Sequence, residues 1–384
     1  MSMRSLATVA ALAGAAFAAP APAKTTDVSA TTTTLLATAT NKAFGLNDAA
    51  KQAGKLWFGT AVDIPGTGEA QDKFYFREFK SPHDFGEATP ANIMKFDATE
   101  PEQNSFNFTG GDYFLDVAEQ YGKQVRCHNL IWQSQLPNWV NNPATPWTNK
   151  TLSKVLVNHV TNLVEHFGDR CYSWDVVNEA FADSPAGDYQ KNVWFNNIGP
   201  EYVPMAFAAA QKVIEKNGLK VKLYYNDYNI ESPGAKTTAA LNLVSELKGR
   251  GIQIDGVGLE SHFIVGSTPS YHQQLQTKRA FVREGVEVVI TELDVRATLP
   301  PSAAEQTQQV QDYYDSVKSC VDVAGCVGIV VWDFDDTYSW VPSTFAGQGY
   351  ADLFFQPHGA NHPLVKKAAY DGVLEALTGA AEGV

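Results

Sequence analysis

The chain has 384 residues and 42 acidic side chains against 29 lysines and arginines, a formal net charge of −13. That balance excludes the basic face a nucleic-acid binder needs and the polybasic stretch of a membrane-surface protein. Hydrophobic residues are 44% of the chain, enough for a large core, and four cysteines are too few for a disulfide-built miniature scaffold.

Residues 1–18 read as a secretory signal peptide. Arg4 supplies the positive start, 6–18 is an Ala-rich apolar run, and Ala16-Phe17-Ala18 is a small-residue cleavage pattern. Residues 19–40, rich in Ala, Thr and Pro, follow as a pro-segment or flexible arm, and 41–380 form one catalytic domain. Secretion implies an oxidising compartment, in which Cys320 and Cys326 are expected to pair across their short loop. Cys127 and Cys171 lie in or beside strands at different heights. Several residues at about 3.3 Å rise exceed the roughly 7 Å reach of a disulfide, so these two are expected as buried free thiols. Asn107-Phe108-Thr109 and Asn149-Lys150-Thr151 are N-glycosylation acceptors in a eukaryotic host.

Short β-rich runs then recur at 57–61, 86–89, 124–131, 172–178, 222–226, 256–259, 287–291 and 328–332. Stretches of helical periodicity lie between them, at 152–167, 205–217, 237–250 and 304–324 among others, with Gly and Pro at the joins. Most of the strands are near-continuous apolar runs, as when both faces are covered. The pattern implies an α/β fold, a single-domain (β/α)8 TIM barrel. A doubly wound open sheet is the rival, but the first strand has no Gly-rich phosphate loop after it.

In a barrel the chemistry sits at the C-terminal mouth. The strand ends there carry His128, Asn129 and Trp132, then Asn178 and Glu179, then Asn226, Asp227 and Tyr228. Next come Glu260 and His262, then Glu292 and Asp294, then Trp332 and Asp333, with Trp340 in the loop beyond. Structural charges would scatter or sit on solvated helix faces. Glu179 and Glu292, on strands four and seven, form the pair of carboxylates that glycoside hydrolysis uses, one as acid and one as nucleophile. Trp132, Trp332 and Trp340 offer indole faces to the C–H faces of sugar rings.

Several segments are long and ordered enough to carry a resemblance: MKFDATEP (94–101), RCHNLIWQSQLPNWV (126–140), WDVVNEA (174–180), LYYNDYN (223–229) and ITELDV (290–295). Together with Trp332 and Trp340 they resemble glycoside hydrolase family 10 over about residues 46–377, and CVDVAGCVGIVVW (320–332) resembles its fungal members, where the two cysteines are bonded. The resemblance implies a (β/α)8 barrel, a retaining endo-β-1,4-xylanase and no cofactor or metal. It implies xylan or xylo-oligosaccharides as partner, no nucleic acid or membrane, and a secreted monomer. It places the acid/base on Glu179 and the nucleophile on Glu292. Asn178, His262 and Asp294 support them, His262 bonding Glu292 and Asp294 fixing the His262 ring. Asn92, Lys95, His128, Trp132, Gln135, Tyr228, Glu260, Trp332 and Trp340 fall on substrate-binding positions.

Four residues depart from the family pattern: Ala91 for Glu, Phe96 for Trp, Gln133 for His and Glu260 for Gln. They are expected to cluster where the non-reducing-end sugars bind. An ionised Glu260 would only accept hydrogen bonds and would push a neighbouring pKa upward. Such a change raises a second reading, a tomatinase-like glycosidase that removes the oligosaccharide from a plant saponin such as α-tomatine. A non-catalytic glycan-binding or inhibitor barrel is disfavoured by the presence of both glutamates. A metal enzyme built on His128, His262, Glu260 and Glu292 lacks any H-x-H or H-E-x-x-H spacing.

Overall fold

The apolar runs become eight parallel strands: β1 (Trp57–Val62), β2 (Glu87–Pro90), β3 (Gln124–Cys127), β4 (Ser173–Asn178), β5 (Lys222–Asp227), β6 (Gly256–Leu259), β7 (Glu287–Thr298) and β8 (Cys326–Val331). Each pairs in parallel with the next, and β8 returns to β1 through Trp57↔Gly328 to Thr60↔Val331, which closes a barrel. The computed structural model describes residues 44–379. The signal peptide expected at 1–18 and the arm at 19–40 lie outside the described residues.

Side chains alternate across the barrel wall with the period of two of a strand. Trp57, Tyr224, Val289 and Val330 meet inside as a small apolar cluster near the closed end. The large core lies outside, between wall and helices. The helix Asn149–Phe167 shows why. Leu152, Val155, Leu156, His159, Val160, Leu163, Val164 and Phe167 recur at helical spacing and are buried. Thr148 caps its N-terminus by accepting from the Thr151 N–H, and Gly168, at φ 49°, ends it.

Two elements run differently from the sequence expectation. The third strand stops at Cys127 rather than 131, and its pairing with the fourth resumes only as the isolated bridge Ile131↔Val177. The seventh continues to Thr298, because its far end gains new partners: His262–Ile264 alongside Asp294–Arg296, and Gln348–Gly349 against Ala297 and Thr298. Among the described residues no helix is long and apolar enough to cross a membrane.

The cysteine reading needs one correction. Cys320 and Cys326 are bonded, as expected. Cys127 and Cys171 are also bonded, with Cα atoms 5.7 Å apart, and are not free thiols. Counting residues along a strand misjudged their heights because Cys171 is not in line with β4. It closes the 3-10 turn Gly168–Arg170, its N–H donating to the Gly168 carbonyl at 3.3 Å. The bond ties β3 to the segment before β4 across 44 residues. Replacing both Cys127 and Cys171 with Ala should lower the unfolding free energy by about 2–4 kcal/mol, read from denaturant titrations. A loss within error of zero would mean that the closed loop does not restrict the unfolded chain.

Candidate active site

Both glutamates lie at or just beyond a dislocation in the ladder. On β4 the register against β5 shifts between Asp175 and Val177, and on β7 the register against β8 shifts between Ile290 and Leu293. Such bulges turn the strand and re-aim the next side chains. Glu179 adds a second turn. Its φ is 53°, in the left-handed region that non-glycine residues seldom adopt, and its N–H is held by the Asn226 carbonyl at 2.9 Å. Glu179 and Glu292 thereby line one cleft of about 620 Å³ at the strand C-termini.

Glu292 is buried but surrounded by donors. Arg126 Nη2 donates to its Oε1 at 3.2 Å, and Asn226 Nδ2 to the same oxygen at 2.9 Å. His262 Nε2 lies 3.2 Å from its Oε2. Burial works against the charge on Glu292. The His262 hydrogen bond and the nearby cations overcome that effect and hold the carboxyl well below the usual carboxylate range. His262 is poised by Asp294, whose Oδ2 lies 2.8 Å from its Nδ1 and accepts from Trp340 Nε1 at 2.8 Å. Burial would lower the His262 pKa, but Asp294 and Glu292 push it up to about 10, so the imidazole keeps its proton. His128 behaves in the opposite way. Burial outweighs its 2.8 Å contact with Asp175 and holds its pKa below 6.5, so at neutral pH Arg126 and His262 are the charges facing Glu292.

Glu179 faces no such donors. Gln133 Nε2 donates to its Oε2 at 3.2 Å, and Asn178 Nδ2 lies 3.4 Å from its Oε1. Burial raises its pKa above 4.5, and the charge of Glu292 adds to the rise. One carboxyl is thus pushed toward its charged form and its neighbour toward its protonated form, the division of labour that acid-assisted displacement needs.

Asn226 joins the two halves. Its Nδ2 is within hydrogen-bond reach of Asn178 Oδ1, Glu292 Oε1 and Glu260 Oε1, and its Oδ1 accepts from Thr291 Oγ1 at 2.7 Å. It fits because position 258 is glycine, where any Cβ would overlap the Asn226 amide.

The other expected site residues converge on the same cleft. Lys95 Nζ donates to Gln135 Oε1 at 2.6 Å and Asn92 Oδ1 at 3.1 Å, and sits 4.8 Å over the Trp132 ring. Trp332 packs edge-on to His128, Trp340 lies against His262, and Tyr228 lies under Lys236 at 3.5 Å. Asp294 does not line the cleft but stands behind His262. The four departures from the family pattern do not cluster as expected. Ala91 and Glu260 line the cleft. Gln133 touches Glu179, and Phe96 is buried behind, stacked on the His159 ring at 3.6 Å. Its flat face is used for packing.

The sequence reading gave no role to Arg126, Asp175 and Asn226, nor to the cleft residues Asn229, Arg296, Thr344 and Phe345. Arg126 sat in a quoted motif, and an arginine on an inward strand position was the available signal. The residues after Trp340 form the four-residue helix Val341–Thr344, too short to show a periodicity. Donor atoms of His128, Asp175 and Glu292, and of Glu260, His262 and Glu292, lie within 4.8 Å of one another. Glu292 is common to both groups and its oxygens already accept from Arg126, Asn226 and His262, so the hydrogen-bond network accounts for the same residues.

Comparison with known proteins follows the geometry. Residues 45–376 match the model of glycosyl hydrolase family 10. The chain is 48% identical over 332 residues to endo-1,4-beta-xylanase D of Talaromyces funiculosus, covering 86% of this chain and 77% of that protein. It is 43% identical to endo-1,4-beta-xylanase A of Humicola insolens, covering 88% of each. Its structure is similar to a xylanase from Bispora sp. MEY-1 solved with xylobiose, with a TM-score of 0.86, 66% identity and coverage of 87% of this chain and 100% of that one.

The His262 environment has a consequence for stability. A pKa raised in the folded state stabilises the fold fully below the unfolded value of 6.5, and that contribution is lost as pH rises through about 10. Urea titrations of wild type and His262→Asn should therefore show a stability gap that is widest below pH 6.5 and narrows towards pH 10. A gap that widens with pH would contradict the protonated imidazole.

Proposed function

The chain belongs to glycosyl hydrolase family 10, and from that premise we propose that it is a secreted endo-1,4-β-xylanase in which Glu292 is the nucleophile and Glu179 the acid/base. The protein is a glycoside hydrolase acting on O-glycosyl bonds. The observation that carries the assignment is the opposite treatment of two carboxyls on one cleft. His262 and Arg126 favour the ionised form of Glu292, while burial favours the protonated form of Glu179.

The reaction follows from those states. Glu292 attacks the anomeric carbon as the glycosidic bond breaks, and Glu179 gives its proton to the departing oxygen. The covalent glycosyl-enzyme removes the negative charge that had held the proton on Glu179 from nearby. Glu179 is then free to act as a base, taking a proton from water as that water displaces Glu292 and restores the configuration. Asn178 is placed beside Glu179 to bind the 2-hydroxyl of the reacting sugar. Lys95, Asn92 and Gln135 offer one fixed polar cluster to the glycone hydroxyls, and the tryptophans offer apolar faces.

Relatives named endo-1,4-beta-xylanase, 42–48% identical over most of this chain, support xylan over a saponin as substrate. Secretion follows from the expected signal peptide, with the exposed Asn107 and Asn149 as glycan acceptors and a monomer as the working form.

Glu292→Ala should reduce xylan hydrolysis by on the order of 10⁴-fold or more with the fold retained by circular dichroism, the scale expected for loss of a nucleophile. Glu179→Ala should be equally impaired on xylan but far less on an aryl xylobioside whose phenol leaves without a proton. Equal losses on both substrates would overturn the acid assignment.

A further inference from the structure

We propose that Glu260 works as a neutral carboxylic acid, donating a hydrogen bond from Oε2 to a sugar hydroxyl beside the nucleophile. The proposal concerns a specificity-determining residue for the reaction above and rests on that reading.

Geometry fixes which oxygen is free. Glu260 is buried at the cleft floor, and its Oε1 accepts from Asn226 Nδ2 at 3.1 Å. Its Oε2 stands 3.9 Å from His262 Nε2, beyond hydrogen-bond range, and has no hydrogen-bond partner among the described residues. As a carboxylate, Glu260 would set a second negative charge beside Glu292, with only the shared His262 imidazolium at 3.9 Å to offset it. As an acid, it presents an O–H to the cleft.

The surrounding charges decide between these states. From β3, Arg126 faces Asp175 of β4 at 3.6 Å as well as Glu292. From the helix Ala235–Gly249, Lys236 pairs with Asp227 of β5 at 2.9 Å and with Asp183 at 3.1 Å. On the Glu260 segment itself, His262 pairs with Asp294 of β7 at 2.8 Å. Glu231, below, accepts from the Ser261 N–H at 2.7 Å and faces Lys278. His128 is held neutral, and Lys95 is engaged with Asn92 and Gln135. Arg126 and His262 are shared between Glu292 and their own aspartates, and Lys236 is shared between Asp227 and Asp183. Among the described residues no cation is left to pair with Glu260 alone. Burial, then the charge of Glu292, raise the Glu260 pKa well above 4.5.

A protonated glutamate, like glutamine, offers a donor on one side and an acceptor oxygen on the other, though with one O–H in place of two N–H, and its donor can be switched off by pH. Once ionised, Glu260 can only accept, and it adds a second negative charge where Glu292 must approach the sugar.

The test compares wild type, Glu260→Gln and Glu260→Leu. The value of kcat/KM on linear xylohexaose gives one readout, and the wild-type minus Glu260→Gln infrared difference spectrum gives another. Glu260→Leu, which has no donor, should fall at least about tenfold below Glu260→Gln at its own optimum, the loss of one good hydrogen bond. The difference spectrum at pH 7 should contain the C=O band of a protonated carboxyl, and the band should fade as the pH is raised. A Glu260→Leu enzyme as active as Glu260→Gln, or no such band, would overturn the proposal. The infrared arm needs no turnover. If no variant hydrolyses xylan, the xylanase reading fails while the state of Glu260 is still decided.

Discussion

A carboxylate that must stay ionised inside a barrel shapes most of what surrounds it. Moving such a group out of water costs several kcal/mol even after the site relaxes. The wall answers with Arg126 from β3, Asn226 from β5 and His262 from beyond β6, all directed at Glu292. Those groups are themselves buried and need partners, so Asp175 and Asp294 follow, and Trp340 then bonds Asp294. The glycine at 258 leaves room for the amide that links the set. A polar layer therefore sits directly above the apolar cluster of Trp57, Tyr224, Val289 and Val330.

Glu179 draws its character from what it lacks. It stands on the same rim, reached by a bulge and a left-handed turn, yet no cation is aimed at it. Backbone in such a region costs about 1–3 kcal/mol and persists only where neighbours over-determine it. Here the Asn226 carbonyl does so from the strand that also feeds Glu292. The two carboxyls are thus set by one residue, and the difference in their proton affinity arises from placement rather than from chemistry of the side chain. The same reasoning makes Glu260 a third carboxyl with a third task.

The barrel was legible because strands covered on both faces read as apolar runs, and because polar residues collect at their ends. Glu179, Glu292, His262 and Asn178 were found that way, together with the motifs around them. What the sequence hid was anything that depends on direction across the wall. Arg126 lies in a strand of apolar neighbours and reads as an exception until its inward orientation is known. Cys171 looked out of reach because it sits at the end of a turn before β4 rather than in the strand. Phe96 looked like a sugar contact but packs on His159, since adjacency in sequence to Lys95 says nothing about which way a ring turns. Arg296 and Phe345 meet at 4.0 Å only because β7 runs on past its barrel portion to pair with a later loop.

The central claim is that Glu292 bonds to the sugar and Glu179 returns it to water on the same face. It is tested most directly by proton NMR of xylohexaose during the first seconds of hydrolysis, before the new reducing end mutarotates. The β-anomer should appear first and the α-anomer only later. Initial release of the α-anomer would mean that water attacks directly, and that Glu292 is a base rather than a nucleophile.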